Sequence, residues 1–187
     1  MAIIHLISGL PGSGKTTKCK ELAKLCPLIR MSPDEWMQAS GISLRDASAR
    51  ESIEEFQFKL ALVLLDRGID VAIEWGTWSQ VERIEILLAA KERGHEVKGY
   101  FLNPPIEVLR QRLDIRDREL PESDQVLVSE LELIFTMFEL PESEEMSLYS
   151  EVWFDKPTAD KYKSWFEISP PMPNKLGSKR PTRVTRN

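Results

Sequence analysis

Cysteine is scarce in this chain of 187 residues: only Cys19 and Cys26 occur, seven positions apart. Neither has companion Cys or His at zinc spacing, which excludes a secreted disulfide framework and a structural metal site. No apolar run approaches the ~18 residues of a membrane span. The opening Met-Ala-Ile-Ile-His is apolar but has neither the basic region nor the cleavage site of a signal peptide. We therefore expect a cytoplasmic protein without a membrane partner. No internal repeat is visible. Collagen-like and wholly disordered chains are also excluded, because 42% of the residues are apolar and 29% are charged, an ordinary globular mixture. At ~100 to 200 residues per domain, the length suits one compact domain with an appendage.

Acidic residues become rare beyond Phe154, where eight Lys and Arg stand against three acids, a net charge of +5 in a chain whose total is -5. The body before that point is therefore acidic, unlike a nucleic-acid-binding face. Pro170, Pro171, Pro173 and Pro181 surround Gly177, and the last residues have almost no apolar content. We expect residues 1–154 to form the domain and 155–187 a basic, partly flexible tail.

Along the body, short apolar runs alternate with longer amphipathic ones. Strands are expected at Ile3 to Ser8, Pro27 to Met31, Val71 to Trp75, Val97 to Leu102 and Glu151 to Phe154. Between them, helices are expected at Lys15 to Leu25, from Ser32, at Asp46 to Arg67, Ser79 to Arg93, Pro105 to Arg116 and Gln125 to Phe138. Ile53, Phe56, Leu60 and Leu64 mark the helical period of the longest. Ser79 with Glu82 forms a capping box, and Ser32 with Glu35 could form another. The alternation implies an α/β fold with a parallel sheet covered on both faces.

The sharpest local signal is Gly9-Leu10-Pro11-Gly12-Ser13-Gly14-Lys15-Thr16-Thr17, which fits G-x-x-x-x-G-K-[ST] between a strand and a helix. Its glycines let backbone amides approach phosphates, while the following helix points its positive end at them. Lys15 is suited to the outer phosphates of a bound ligand, and the Thr16 hydroxyl to magnesium. Other site residues belong at the carboxyl ends of the strands. Asp34 follows the second strand and Glu74 closes the third, whereas Asp70 sits at the wrong end. Glu74 suits magnesium or substrate; Asp34 suits a base, or alternatively a helix-capping acid. Arg110, Arg112, Arg116 and Arg118 form a basic segment in which Arg112 and Arg116 share a helix face, suited to stabilising a transferred phosphoryl group.

The phosphate loop, Met31-Ser32-Pro33-Asp34-Glu35-Trp36, Ile73-Glu74-Trp75-Gly76-Thr77-Trp78-Ser79 with Arg83, and the Arg112 to Arg116 pair together resemble small P-loop kinases of the AAA-domain grouping. More distantly, they are similar to chloramphenicol phosphotransferase, zeta toxins and the kinase domain of phage polynucleotide kinase. The resemblance covers about Ile3 to Tyr149. It implies a P-loop NTPase fold with a kinase-type sheet of about five strands, ATP and Mg2+ as cofactors, and Asp34 as the base that takes a proton from an acceptor hydroxyl. It also implies that Glu74, Thr77 and Arg83 face the acceptor, with Glu74 standing where an aspartate is usual. The expected activity is transfer of the γ-phosphoryl group of ATP to a small-molecule hydroxyl. A polynucleotide end kinase and an ATP-hydrolysing regulator are the alternatives.

Overall fold

The computed structural model describes residues 1–160. Strands β1 (Ile3–Gly9), β2 (Leu28–Met31), β3 (Asp70–Gly76), β4 (Glu96–Leu102) and β5 (Glu151–Phe154) form one sheet in the order β2-β3-β1-β4-β5. Every pairing is parallel. The helices are α1 (Lys15–Leu25), α2 (Pro33–Ala39), α3 (Ala47–Asp66), α4 (Gln80–Glu92), α5 (Ile106–Arg116), α6 (Val128–Met137) and the short α7 (Ser143–Met146).

Parallel strands need covered faces, and the three core clusters supply the cover. On one face, Ile4, Leu6, Val71, Ile73, Val97 and Phe101 pack under Ala61 and Leu65 of α3 and Ile86, Leu87 and Ala90 of α4. On the other, Ile7, Ala72, Tyr100 and Leu102 receive Cys19 and Leu22 of α1. A third cluster joins Leu10 of the loop after β1 to Leu109 and Leu113 of α5 and Leu131 of α6. It fixes the arginine-bearing helix beside that loop. The connections leaving the neighbouring strands β1 and β3 run to opposite faces, through α1 and α4. A crevice opens at the carboxyl ends of such strands.

Several expected boundaries shift for identifiable reasons. Asp46 is the cap of α3, its side chain accepting from the Ala49 amide at 2.9 Å. The helix expected from Gln125 starts at Val128, because Asp117 holds the preceding chain extended. Its carboxylate accepts from the Val126 amide at 2.8 Å, and its carbonyl from Gln125 Nε2 at 2.9 Å. The expected capping box of α2 does not form: Ser32 makes no side-chain cap bond, and Glu35 is drawn instead to Arg30 at 2.8 Å. The box of α4 does form, from Ser79 and Glu82.

The chain also stays on the sheet beyond Phe154. The Asp155 amide donates to the Phe101 carbonyl at 3.1 Å, and the buried Thr158 Oγ1 accepts from the Asn103 amide at 2.8 Å. The proline-rich stretch expected to be flexible lies outside the described residues. Among the described residues, no helix is long and apolar enough to cross a membrane.

Candidate active site

The loop from Leu10 to Gly14 builds the centre of the crevice. At Gly9 a Cβ would stand 2.5 Å from Ser13 Oγ and 2.6 Å from the Leu102 carbonyl, so only glycine permits the approach. Gly14 caps α1 in the left-handed region, φ 104°, which side-chain-bearing residues rarely adopt. The Ser13 amide closes the turn on the Leu10 carbonyl at 3.0 Å. The first-turn amides of α1 lack intrahelical partners and face the crevice with the positive end of the helix. Lys15 Nζ donates to the Leu10 carbonyl at 3.0 Å. Burial pushes this ammonium down to about 8, against the opposing pull of Asp34 and Glu74.

A cleft of about 1090 Å³ brings together Pro11 to Lys18, Asp34, Glu74, Thr77, Arg112 and Arg116. Besides Trp78 Nε1, two of its polar atoms are buried without partners among the described residues, Ser13 Oγ and Glu74 Oε2. Both are the sort of unsatisfied group that a bound phosphate or cation would complete. Thr16 is exposed and lines the same cleft, so Thr16 and Glu74 fit as the protein's donors to a divalent ion, which would take its other ligands from phosphate and water. The other Glu74 oxygen accepts from Arg30 at 2.5 Å. Burial opposes the charge of Arg30, but its hydrogen bonds to Glu35 and Glu74 outweigh that and hold it charged.

Asp34 lies in the first turn of α2, its carboxylate 54% exposed and held at 2.6 Å by Arg50 of α3. One turn along α3, desolvation pushes Glu54 up to about 7, with Arg50 at 3.6 Å pulling the other way. Arg112 folds over the phosphate loop, donating to the carbonyls of Gly12 at 3.2 Å and Ser13 at 3.0 Å. Arg116 turns its guanidinium onto Asp117 at the cleft edge. Arg110 pairs with Glu132, and Arg118 is exposed; neither lines the cleft. Gly9 and Leu10 shape the loop from beneath.

Two expectations about the acceptor side change. Arg83 does not face the cleft: it is fully buried, bound to Glu145 at 2.7 and 2.9 Å and to the carbonyls of Thr77 and Trp78. It braces the turn after β3 from behind. Glu145 arrives on α7, a four-residue helix without a detectable period. Thr77 does line the cleft, at φ 43°, but its hydroxyl is taken by Ser8 Oγ at 2.6 Å. Residues passed over at first are Arg30, Arg50 and Trp153. Arg30 had a signal, as the sole charge in a short, otherwise apolar strand. Arg50 had none in a helix crowded with charges. Trp153, in the wall of the cleft, carries Lys18 Nζ 3.8 Å from its ring centroid.

A five-stranded parallel sheet of this order, with a glycine-rich loop and lysine at the carboxyl end of its central strand, defines a P-loop NTPase of the kinase type. The chain belongs to the AAA domain family, whose model matches residues 4–141. Among curated proteins, no sequence matches it. Solved structures similar in fold include Kti12 from Chaetomium thermophilum in complex with ADP-AlF3, 17% identical with a TM-score of 0.60, covering 88% of this chain and 97% of that one. A sugar kinase from Janibacter sp. HTCC2649 is 21% identical with a TM-score of 0.55, covering 91% and 97%. A chain of the Pnkp1/Rnl/Hen1 RNA repair complex is 20% identical with a TM-score of 0.64 over 73% of this chain. This chain spans only 44% of that longer one.

Proposed function

We propose that the protein transfers the γ-phosphoryl group of ATP to a hydroxyl of a small molecule. The observation that carries this reading is the shared cleft: the Asp34 carboxylate opens into the same space as Lys15 and the loop amides, and pulls electrostatically on Lys15. The loop amides and Lys15 hold the phosphates, and Ser13 Oγ gains the partner it lacks. Thr16 and Glu74 would hold magnesium, which when bound would neutralise phosphate charge. Asp34, steadied by Arg50, accepts the proton of the acceptor hydroxyl as its oxygen attacks the γ-phosphorus and the bond to ADP breaks. Arg112 exchanges its bonds to loop carbonyls for the transferring oxygens, with Arg116 beside it. The test is labelled-ATP transfer against pools of metabolites, antibiotics and oligonucleotides. A phosphorylated product with ADP formed in equal amount supports the reading; acceptor-independent hydrolysis would establish the regulator instead.

A further inference from the structure

The cleft wall built by α2, α3 with the loop before it, the end of β3, the start of α4 and residues 124–134 has an uneven charge. It presents Asp34, Glu54, Glu82, Asp124 and Glu130 against Arg45 and Arg50. Both arginines are engaged. Arg45 binds Glu130 at 2.6 and 2.9 Å and the Gln125 carbonyl, while Arg50 binds Asp34 and Glu54. Among the described residues, this wall therefore offers no uncommitted cation to an anionic acceptor. A phosphorylated sugar or a polynucleotide end would have to break an existing ion pair to be held.

Beside it, a recess of about 180 Å³ opens between α3 and α4 and shares Glu54, Trp75, Thr77 and Glu82 with the cleft. Its walls are the rings of Phe58 and Trp75, set edge to face at 6.1 Å. Trp75 is held in place by its Nε1, which donates to the fully buried Gln57 at 2.8 Å. Glu54, Glu82 and Glu85 stand around the recess, and among the described residues no Lys or Arg lines it. Arg50 reaches Glu54 from outside at 3.6 Å, while Glu82 and Glu85 have no basic partner among the described residues; fixed aromatic faces and such carboxylates form the chemistry that holds an ammonium group.

We propose that the acceptor is a hydroxyl compound bearing a protonated amine, its ammonium seated in this recess and its hydroxyl directed to Asp34. The inference rests on the phosphotransferase reading and adds the substrate class. It is tested with matched acceptors differing mainly in charge: glucosamine, glucose and glucose 6-phosphate, together with kanamycin and a 5′-hydroxyl oligonucleotide, each with magnesium and labelled ATP. Transfer should favour an amine over its neutral counterpart by about tenfold or more in kcat/KM, the scale of one partly desolvated ion pair. Glu85→Gln, at a carboxylate that lines the recess and not the cleft, and, separately, Phe58→Leu should each raise KM for that amine severalfold, leaving the dissociation constant of ATP unchanged and kcat nearly so. Preference for glucose, glucose 6-phosphate or the oligonucleotide would overturn the inference while leaving the phosphotransferase standing. Steady ATP hydrolysis with no transfer to any of the five would overturn both.

Discussion

Lys15 allows a test of the nucleotide site that needs no acceptor. Its ammonium titrates at about 8 in the free protein, because the surrounding loop strips it of water. At pH 7 about ten molecules in eleven then carry the charge, and at pH 9 about one in eleven. ATP binds the charged form, and its phosphates restore the lysine to full protonation. The apparent affinity should thus fall about tenfold between pH 7 and pH 9, or about 1.4 kcal/mol, with the loss concentrated above pH 8. Binding should take up about 0.1 proton at pH 7 and about 0.9 at pH 9. The assay is calorimetry with ATP and magnesium at both pH values, in two buffers of different ionisation heat. Lys15→Met should bind weakly and lose the lysine-linked proton uptake.

The stability linkage of the same group has the opposite sign. Between about 8 and the ordinary lysine range the unfolded chain binds more protons than the folded one, so the lysine's penalty on folding is full below pH 8 and fades as pH rises. The free protein should gain stability with pH relative to Lys15→Met while ATP affinity declines. Equal affinity at pH 7 and 9 with no proton uptake would refute the assignment of Lys15 as the buried phosphate-binding cation.

Three further outcomes are expected. Asp34→Asn should lower phosphoryl transfer by ~10²- to 10⁴-fold at saturating ATP, with the ATP dissociation constant little changed; full transfer would remove the base role. Glu74→Gln should weaken magnesium-dependent ATP binding if the buried Oε2 meets the metal, or raise KM for the acceptor if it meets substrate, and titration of ATP with and without magnesium separates the two. Glu145→Ala leaves the buried Arg83 guanidinium without its carboxylate and should cost about 3–5 kcal/mol, a fall in Tm of about 10 °C by scanning calorimetry. A Tm within two degrees of the parent's, by that same rough scale, would show that Arg83 is not the brace described here.

Local pattern determines much of this protein. Ile3 to Ser8 is buried on both faces because it is largely apolar, with His5 and Ser8 its polar members, and the turn of Gly-x-x-x-x-Gly-Lys-Thr closes on its own Leu10 carbonyl. The five strands and the capping box at Ser79 follow from patterns of similarly short range. That Asp34 and Glu74 line the cleft follows for the same reason: each sits just after or at the end of an apolar strand, where a parallel sheet opens its crevice.

What the tertiary structure alone decided are pairings between charges distant in sequence. Arg83 reads as an exposed helical arginine until Glu145, 62 residues away, meets it in the core. Arg30 and Glu74 are 44 residues apart, and Arg45 and Glu130 are 85 apart. In a chain where 29% of residues are charged, every arginine has many possible acidic partners. Selecting one requires knowing which pairs lose water together, because desolvation is what makes a pairing worth more than its exposed alternatives. The same holds for the recess between α3 and α4, whose aromatic walls come from two elements that meet only once the sheet is assembled.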